Sequence, residues 1–190
     1  MLEKKSRTLE QDNLSDVNLS IRLYISCNSQ LRTHIVTQYS LNVNGKNHVI
    51  DADGNTPLLY ILRGELDIKS TKYGCGTELC GACRILVDGN LLFACTLLLK
   101  DADKTIITTV EGLTEGNKPG ALQQAFLDIN AGQCGYCLAG ILITADKLLE
   151  ENRSPDRREI QLALDGHLCR CGAHNRIIKA IQSVAESDDD

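Results

Sequence analysis

Eight of the nine cysteines in this 190-residue chain fall into two sets with the spacing of metal ligands. Cys75, Cys80, Cys83 and Cys95 follow C-x4-C-x2-C-x11-C. Three thiolates close together in sequence, with a fourth returning from a distance, form the plant-type arrangement around a 2Fe–2S cluster. Gly74, Gly76 and Gly81 lie in that loop, where the chain must pass close to inorganic sulfide and adopt positive φ. Their N–H groups can then donate to sulfur, which tunes the potential. The second set, Cys134, Cys137, Cys169 and Cys171, reads C-x2-C-x31-C-x-C. A disulfide across Cys169 and Cys171 would close a very small, strained ring, so that pair calls for a ligand outside itself. Structural zinc, which uses C-x2–4-C knuckles, is the alternative for each set. The glycine-lined loop and its single returning cysteine fit iron–sulfur better.

The surroundings of the second set suit an anion. Cys134 and Cys137 stand at the start of one expected helix and Cys169 and Cys171 just before another, and helix N-termini favour negative charge. A 2Fe–2S core with four thiolates carries about −2, and Arg170 can offset it at the surface. His167 and His174 flank the C-x-C pair; with four cysteines completing the site, they are expected to cap a helix or meet solvent. No Ser–His–Asp set or phosphate loop stands out, so no catalytic residue is assigned. "YGCGTEL" lacks the third glycine and the βαβ setting of a dinucleotide fingerprint. Two clusters without a substrate-transforming constellation point to an electron relay.

These ligands need elements to hold them. "YSLNVNGKNHVIDAD" alternates about Asn44-Gly45, and "CRILVDGNLLFAC" about Asp88-Gly89, which are hairpin signals. "TPLLYILRGEL" predicts a helix with Thr56 as N-cap, Pro57 at the first helical position and Gly64 as its stop. "KTIITTVEGL" predicts a closing strand. Residues 41–115 thus form a small α+β sheet domain. Beyond a linker near "TEGNKPG", Leu122, Ala125, Phe126 and Ile129 follow helical spacing, as do Leu138, Ile141, Leu142, Ala145, Leu148 and Leu149. Ser154-Pro155-Asp156 opens a third helix that stops near Gly166, and Ile177, Ile178, Ile181 and Val184 mark a fourth. Residues 120–187 therefore form a helical bundle. Residues 1–40 are expected to be a poorly ordered extension with at most one strand, "NLSIRLYISCNS", and an isolated, spectator Cys27.

Composition narrows the class. A net charge of −5 provides no basic stripe for nucleic acid. No apolar run is long enough to span a membrane. The charged start has no secretory pattern, so the expected location is cytoplasmic, where thiols stay reduced and bind metal.

The segments "KYGCGTELCGAC", "QCGYCLAG" and "LDGHLCRCG" resemble the small iron–sulfur subunit of the molybdenum hydroxylases, over about residues 41–187. The wording is nearest the nicotinate dehydrogenase and isoquinoline oxidoreductase branch. The resemblance implies a plant-ferredoxin-like β-grasp domain followed by a four-helix bundle, each with one 2Fe–2S cluster. It implies a large partner subunit holding a molybdenum–pterin cofactor, contacted here by Gln133 and Cys171. Electrons would enter at the bundle and leave through the β-grasp domain, to a flavin subunit or a cytochrome. The implied enzyme is an oxidoreductase that hydroxylates an N-heteroaromatic ring or an aldehyde, with no substrate chemistry on this chain. The alternatives are the small subunit of a xanthine or carbon monoxide dehydrogenase, or a stand-alone zinc or iron–sulfur module that binds or senses. The sequence departs from the commonest pattern at Leu138-Ala139-Gly140, at "GAHNRI" after Cys171, and at His167, where Asn is usual.

Overall fold

In the computed structural model, residues 36–114, 116 and 118–185 are described. Strands β1 (Val36–Val43) and β2 (Lys46–Asp53) pair antiparallel with Val43 opposite Lys46. Asn44 and Gly45 both take positive φ, 52° and 77°, the backbone of a two-residue turn that follows strand twist. β1 opens at Val36, so Val36–Ser40 belong to the sheet rather than to the extension. The expected strand "NLSIRLYISCNS" and Cys27 lie outside the described residues.

A second hairpin joins β3 (Arg84–Val87) to β4 (Asn90–Phe93) through Asp88 and Gly89 at φ 48° and 77°. This hairpin accounts for the x11 spacing. Arg84 pairs with Phe93, so Cys83 and Cys95 flank the open end of one ladder, and Ala94 N–H donates to Cys83 O at 3.1 Å. β5 (Ile106–Thr108) runs parallel to β1 and antiparallel to β3, giving the order β2-β1-β5-β3-β4. Helix α1 (Leu58–Gly64) buries Leu58, Leu59 and Leu62 together with Leu41, Ile85 and Ile107 of the sheet. This is a ferredoxin-like mixed sheet.

Two expected boundaries shift. Pro57 is not the first helical residue and Thr56 does not cap. Pro57 bridges to Leu98, and the helix begins at Leu58, whose N–H goes to Leu97 O. The closing strand is only three residues long and gives way to a 3-10 turn at Val110–Leu113. The cause is the Asn44 side chain, which accepts from Thr109 N–H and donates to Thr109 Oγ1, both at 2.9 Å, so the ladder cannot continue.

The second half contains α2 (Ala121–Asp128), α3 (Leu138–Glu151), α4 (Arg157–Ala163) and α5 (His174–Ala185). Asp156 and Glu159 cap α4 reciprocally, each accepting the other's backbone N–H at 2.7 Å. Phe126, Ile141, Ile160, Ile177 and Ile181 form the bundle core. A different face of α3 packs on β3. There Gly140 touches Gly81 O so closely that a Cβ would collide with that carbonyl. The described residues accordingly belong to one compact unit with two cores. Among them, no helix is long and apolar enough to cross a membrane.

Candidate metal centres

The first four cysteines converge where the loop before β3 meets the end of β4. Gly76 and Gly81 hold φ of 72° and 73°. Gly74 does not adopt positive φ. It is needed for room instead, because a Cβ there would press on Cys80 Sγ. The loop aims backbone donors at sulfur: Cys75 N–H at Cys80 Sγ (3.3 Å), Thr77 N–H at Cys75 Sγ (3.4 Å) and Leu79 N–H at Cys75 Sγ (3.2 Å). Burial raises the Cys75 thiol, but the Thr77, Leu79 and Cys80 groups outweigh it and bring it down to about 6. Cys83 is different. Burial pushes it up to about 12, so its thiolate needs a positive charge beside it, which a coordinated metal ion supplies as it displaces the proton. Glu78 takes φ 63° within this loop and accepts from Thr96 Oγ1.

The second four cysteines converge between two helix starts. Cys137 immediately precedes α3, and Cys171 lies three residues before α5. The Tyr136 N–H lowers Cys134. Burial raises Cys169, but the Ala173 N–H, the neighbouring Cys137 thiol and the N–H groups of Cys171 and Gly172 overcome it and the thiol ends lower. Cys137 is pushed up to about 12 by burial. Each set thus combines a buried thiol that needs positive charge with thiols held by N–H donors, which fits an anionic cluster built on a metal core.

The sulfurs are arranged as pairs. Cys75 lies beside Cys80, Cys83 beside Cys95, Cys134 beside Cys171 and Cys137 beside Cys169. The described residues contain no group of three or more His, Cys, Asp or Glu side chains placed as ligands of one metal ion. Two pairs per set are what two irons require if each takes two thiolates. The eight described cysteines are all free thiols.

Three contacts that sequence reasoning missed join the two sets. Leu168 N–H donates to Cys80 O at 3.1 Å. Tyr136, between Cys134 and Cys137, donates its hydroxyl to Tyr73 O at the start of the first loop. His167 is 5% exposed, packed on Gly81, with Nε2 2.8 Å from Thr144 Oγ1 on α3. It is buried rather than capping a helix or facing solvent as expected, and burial with the nearby Arg84 charge lowers it to about 4. His174 and Arg170 are exposed. Gln133 is also exposed and donates Nε2–H to Cys171 O at 3.4 Å, which brings the two residues of the implied pterin contact together.

This sheet with two cysteine centres defines a ferredoxin-type iron–sulfur protein with an added helical domain. Residues 41–106 match the family described as "2Fe-2S iron-sulfur cluster binding domain", and residues 109–182 match "[2Fe-2S] binding domain". One of the nicotinate dehydrogenase subunits of Pseudomonas putida is 43% identical over 80% of this chain and 96% of its own length. The nicotinate dehydrogenase small FeS subunit of Eubacterium barkeri is 40% identical over 77% and 94%. In the solved quinoline 2-oxidoreductase of Pseudomonas putida 86, one chain superposes with a TM-score of 0.78 at 39% identity, over 82% of this chain and 97% of that one. The chain belongs to the small 2Fe–2S subunits of the molybdenum hydroxylases, and is an oxidoreductase subunit serving electron transfer.

Proposed function

We propose that the chain relays electrons from a molybdenum–pterin hydroxylase subunit to an external acceptor through two 2Fe–2S clusters. Cys75, Cys80, Cys83 and Cys95 hold one in the sheet domain expected at residues 41–115, to which the strand residues Val36–Ser40 are added. Cys134, Cys137, Cys169 and Cys171 hold the other in a domain of residues 120–187. The clusters supply one-electron redox chemistry, and the chain supplies position, burial and N–H donors. The observation that carries the reading is the meeting of the two sets, with Leu168 N–H on Cys80 O linking a neighbour of Cys169 to a residue of the first set.

Gln133 and Cys171 face the partner's pterin in this reading. Their mutual contact and the exposure of Gln133 support it. On the first loop, Leu79 is 71% exposed, which supports docking of an acceptor, a flavin subunit or a cytochrome, against that loop. Relatives named for nicotinate and quinoline support an N-heteroaromatic substrate over an aldehyde, with that chemistry on the partner. A cytoplasmic location, where cysteines remain available as metal ligands, is part of this reading.

The test is Gln133→Ala in the assembled enzyme, with stopped-flow reduction of the clusters by substrate. One neutral amide hydrogen bond is worth about 0.5–1.5 kcal/mol net. The variant is expected to keep both clusters and the complex while reduction slows by up to about tenfold. Wild-type rates would show that Gln133 only closes the hairpin onto Cys171.

A further inference from the structure

His167 is a buried side chain that neither set of thiols uses, and it stands where they meet. Its ring is braced by the Thr144 hydroxyl on α3 and lies against Gly81, between Cys80 and Cys83. A Cβ on Gly81 would collide with the imidazole at Nδ1, Cε1 and Cγ. The next residue, Leu168, makes the hydrogen bond to Cys80 O, and the one after is Cys169. The ring therefore touches α3 and the first loop from within the segment that carries the second set. Nδ1 is buried without a hydrogen-bond partner, as is Nε of Arg84, whose backbone N–H holds Gly81 O at 3.0 Å. One nitrogen offers a lone pair when Nε2 carries the proton and the other offers an N–H. An unpaired buried polar atom is a cost, so what the ring offers at this place is its bulk against Gly81 and its contact with Thr144.

We propose that His167 is a positioning residue whose ring, braced on Thr144, sets the separation of the two cysteine sets and so the coupling between their clusters. This rests on the two-cluster reading above. Without the ring, the space against Gly81 is open and the Leu168–Cys80 hydrogen bond loses the side chain packed beside it, leaving the Tyr136–Tyr73 and Gly140–Gly81 contacts to hold the seam. Groups just outside the ligand shell typically cost about 10–100-fold in activity when replaced.

The experiment uses the assembled holoenzyme with His167→Ala, His167→Gln and Thr144→Val. Three quantities are read: iron content, the low-temperature magnetic splitting between the two reduced clusters, and the rate at which one electron leaves one cluster and enters the other. The splitting falls steeply with separation, and a general loss of stability does not mimic it while both clusters are present. The expected result for His167→Ala is wild-type iron, a reduced splitting and exchange slowed by about 10–100-fold. His167→Gln, which keeps bulk and a polar end for Thr144, restores most of both. Unchanged splitting and exchange in His167→Ala would overturn the proposal. If that variant does not fold, Thr144→Val decides: a reduced splitting supports the proposal and an unchanged one overturns it. A wild type lacking two signals would overturn the two-cluster reading itself, and the proposal with it.

Discussion

Cys80→Ser is expected to remove one cluster and leave the other, and Cys137→Ser to do the reverse. Iron should fall from about four to about two per chain in each case, with a different spin-resonance signal lost each time. Cys80 lies beside Cys75 and accepts the Cys75 N–H on its sulfur at 3.3 Å. Cys137 is buried beside Cys169. Neither sulfur is paired with one of the other set, so the losses should be independent. Serine is a poor substitute, because its hydroxyl gives up a proton far less readily than a thiol and makes a harder ligand. Cys27→Ser provides the control, with iron unchanged. Loss of both signals from either single variant would mean that the sets fold as one centre.

Gly140→Ala is expected to be the most disruptive substitution away from the ligands. The new Cβ would meet the backbone carbonyl of Gly81, and neither partner is a side chain that can swing aside. Inserting a methyl into such a contact typically costs about 1–3 kcal/mol. Here the displacement pushes α3 away from the loop between Cys80 and Cys83, and with it Cys137 at the helix start. A lower denaturant midpoint should accompany loss of the magnetic splitting between clusters. By contrast, Gly64→Ala, whose Cβ would meet nothing within 4 Å, should leave both unchanged. A wild-type midpoint for Gly140→Ala would show that the α3 contact with the loop is slack.

Local chemistry made much of this molecule legible in the sequence. Asn44-Gly45 and Asp88-Gly89 supply the two left-handed residues that each hairpin turn uses, and both turns lie at those positions. Asp156, read in Ser154-Pro155-Asp156 as the start of a helix, does cap α4, and the structure adds Glu159 as its reciprocal partner. The cysteine spacings agree with the pairs that form, because the β3–β4 hairpin carries Cys95 back to Cys83. What stayed hidden depends on surfaces far apart in sequence. Thr109 leaves the sheet because Asn44, 65 positions earlier, takes its backbone. His167 reads as a helix cap or a solvent contact until α3 closes on the first loop. The one available hint was glycine at both Gly81 and Gly140, where two backbones approach. Tyr136 likewise looks like spacing between two ligands, yet its hydroxyl ties one loop to the other.

Spin resonance of the reduced holoprotein, combined with analysis of iron and acid-labile sulfide, tests the central claim most directly. One chain holding two 2Fe–2S clusters should contain about four irons and four sulfides and show two distinct signals, split by their mutual interaction at low temperature. A single signal, or zinc in place of iron, would contradict it.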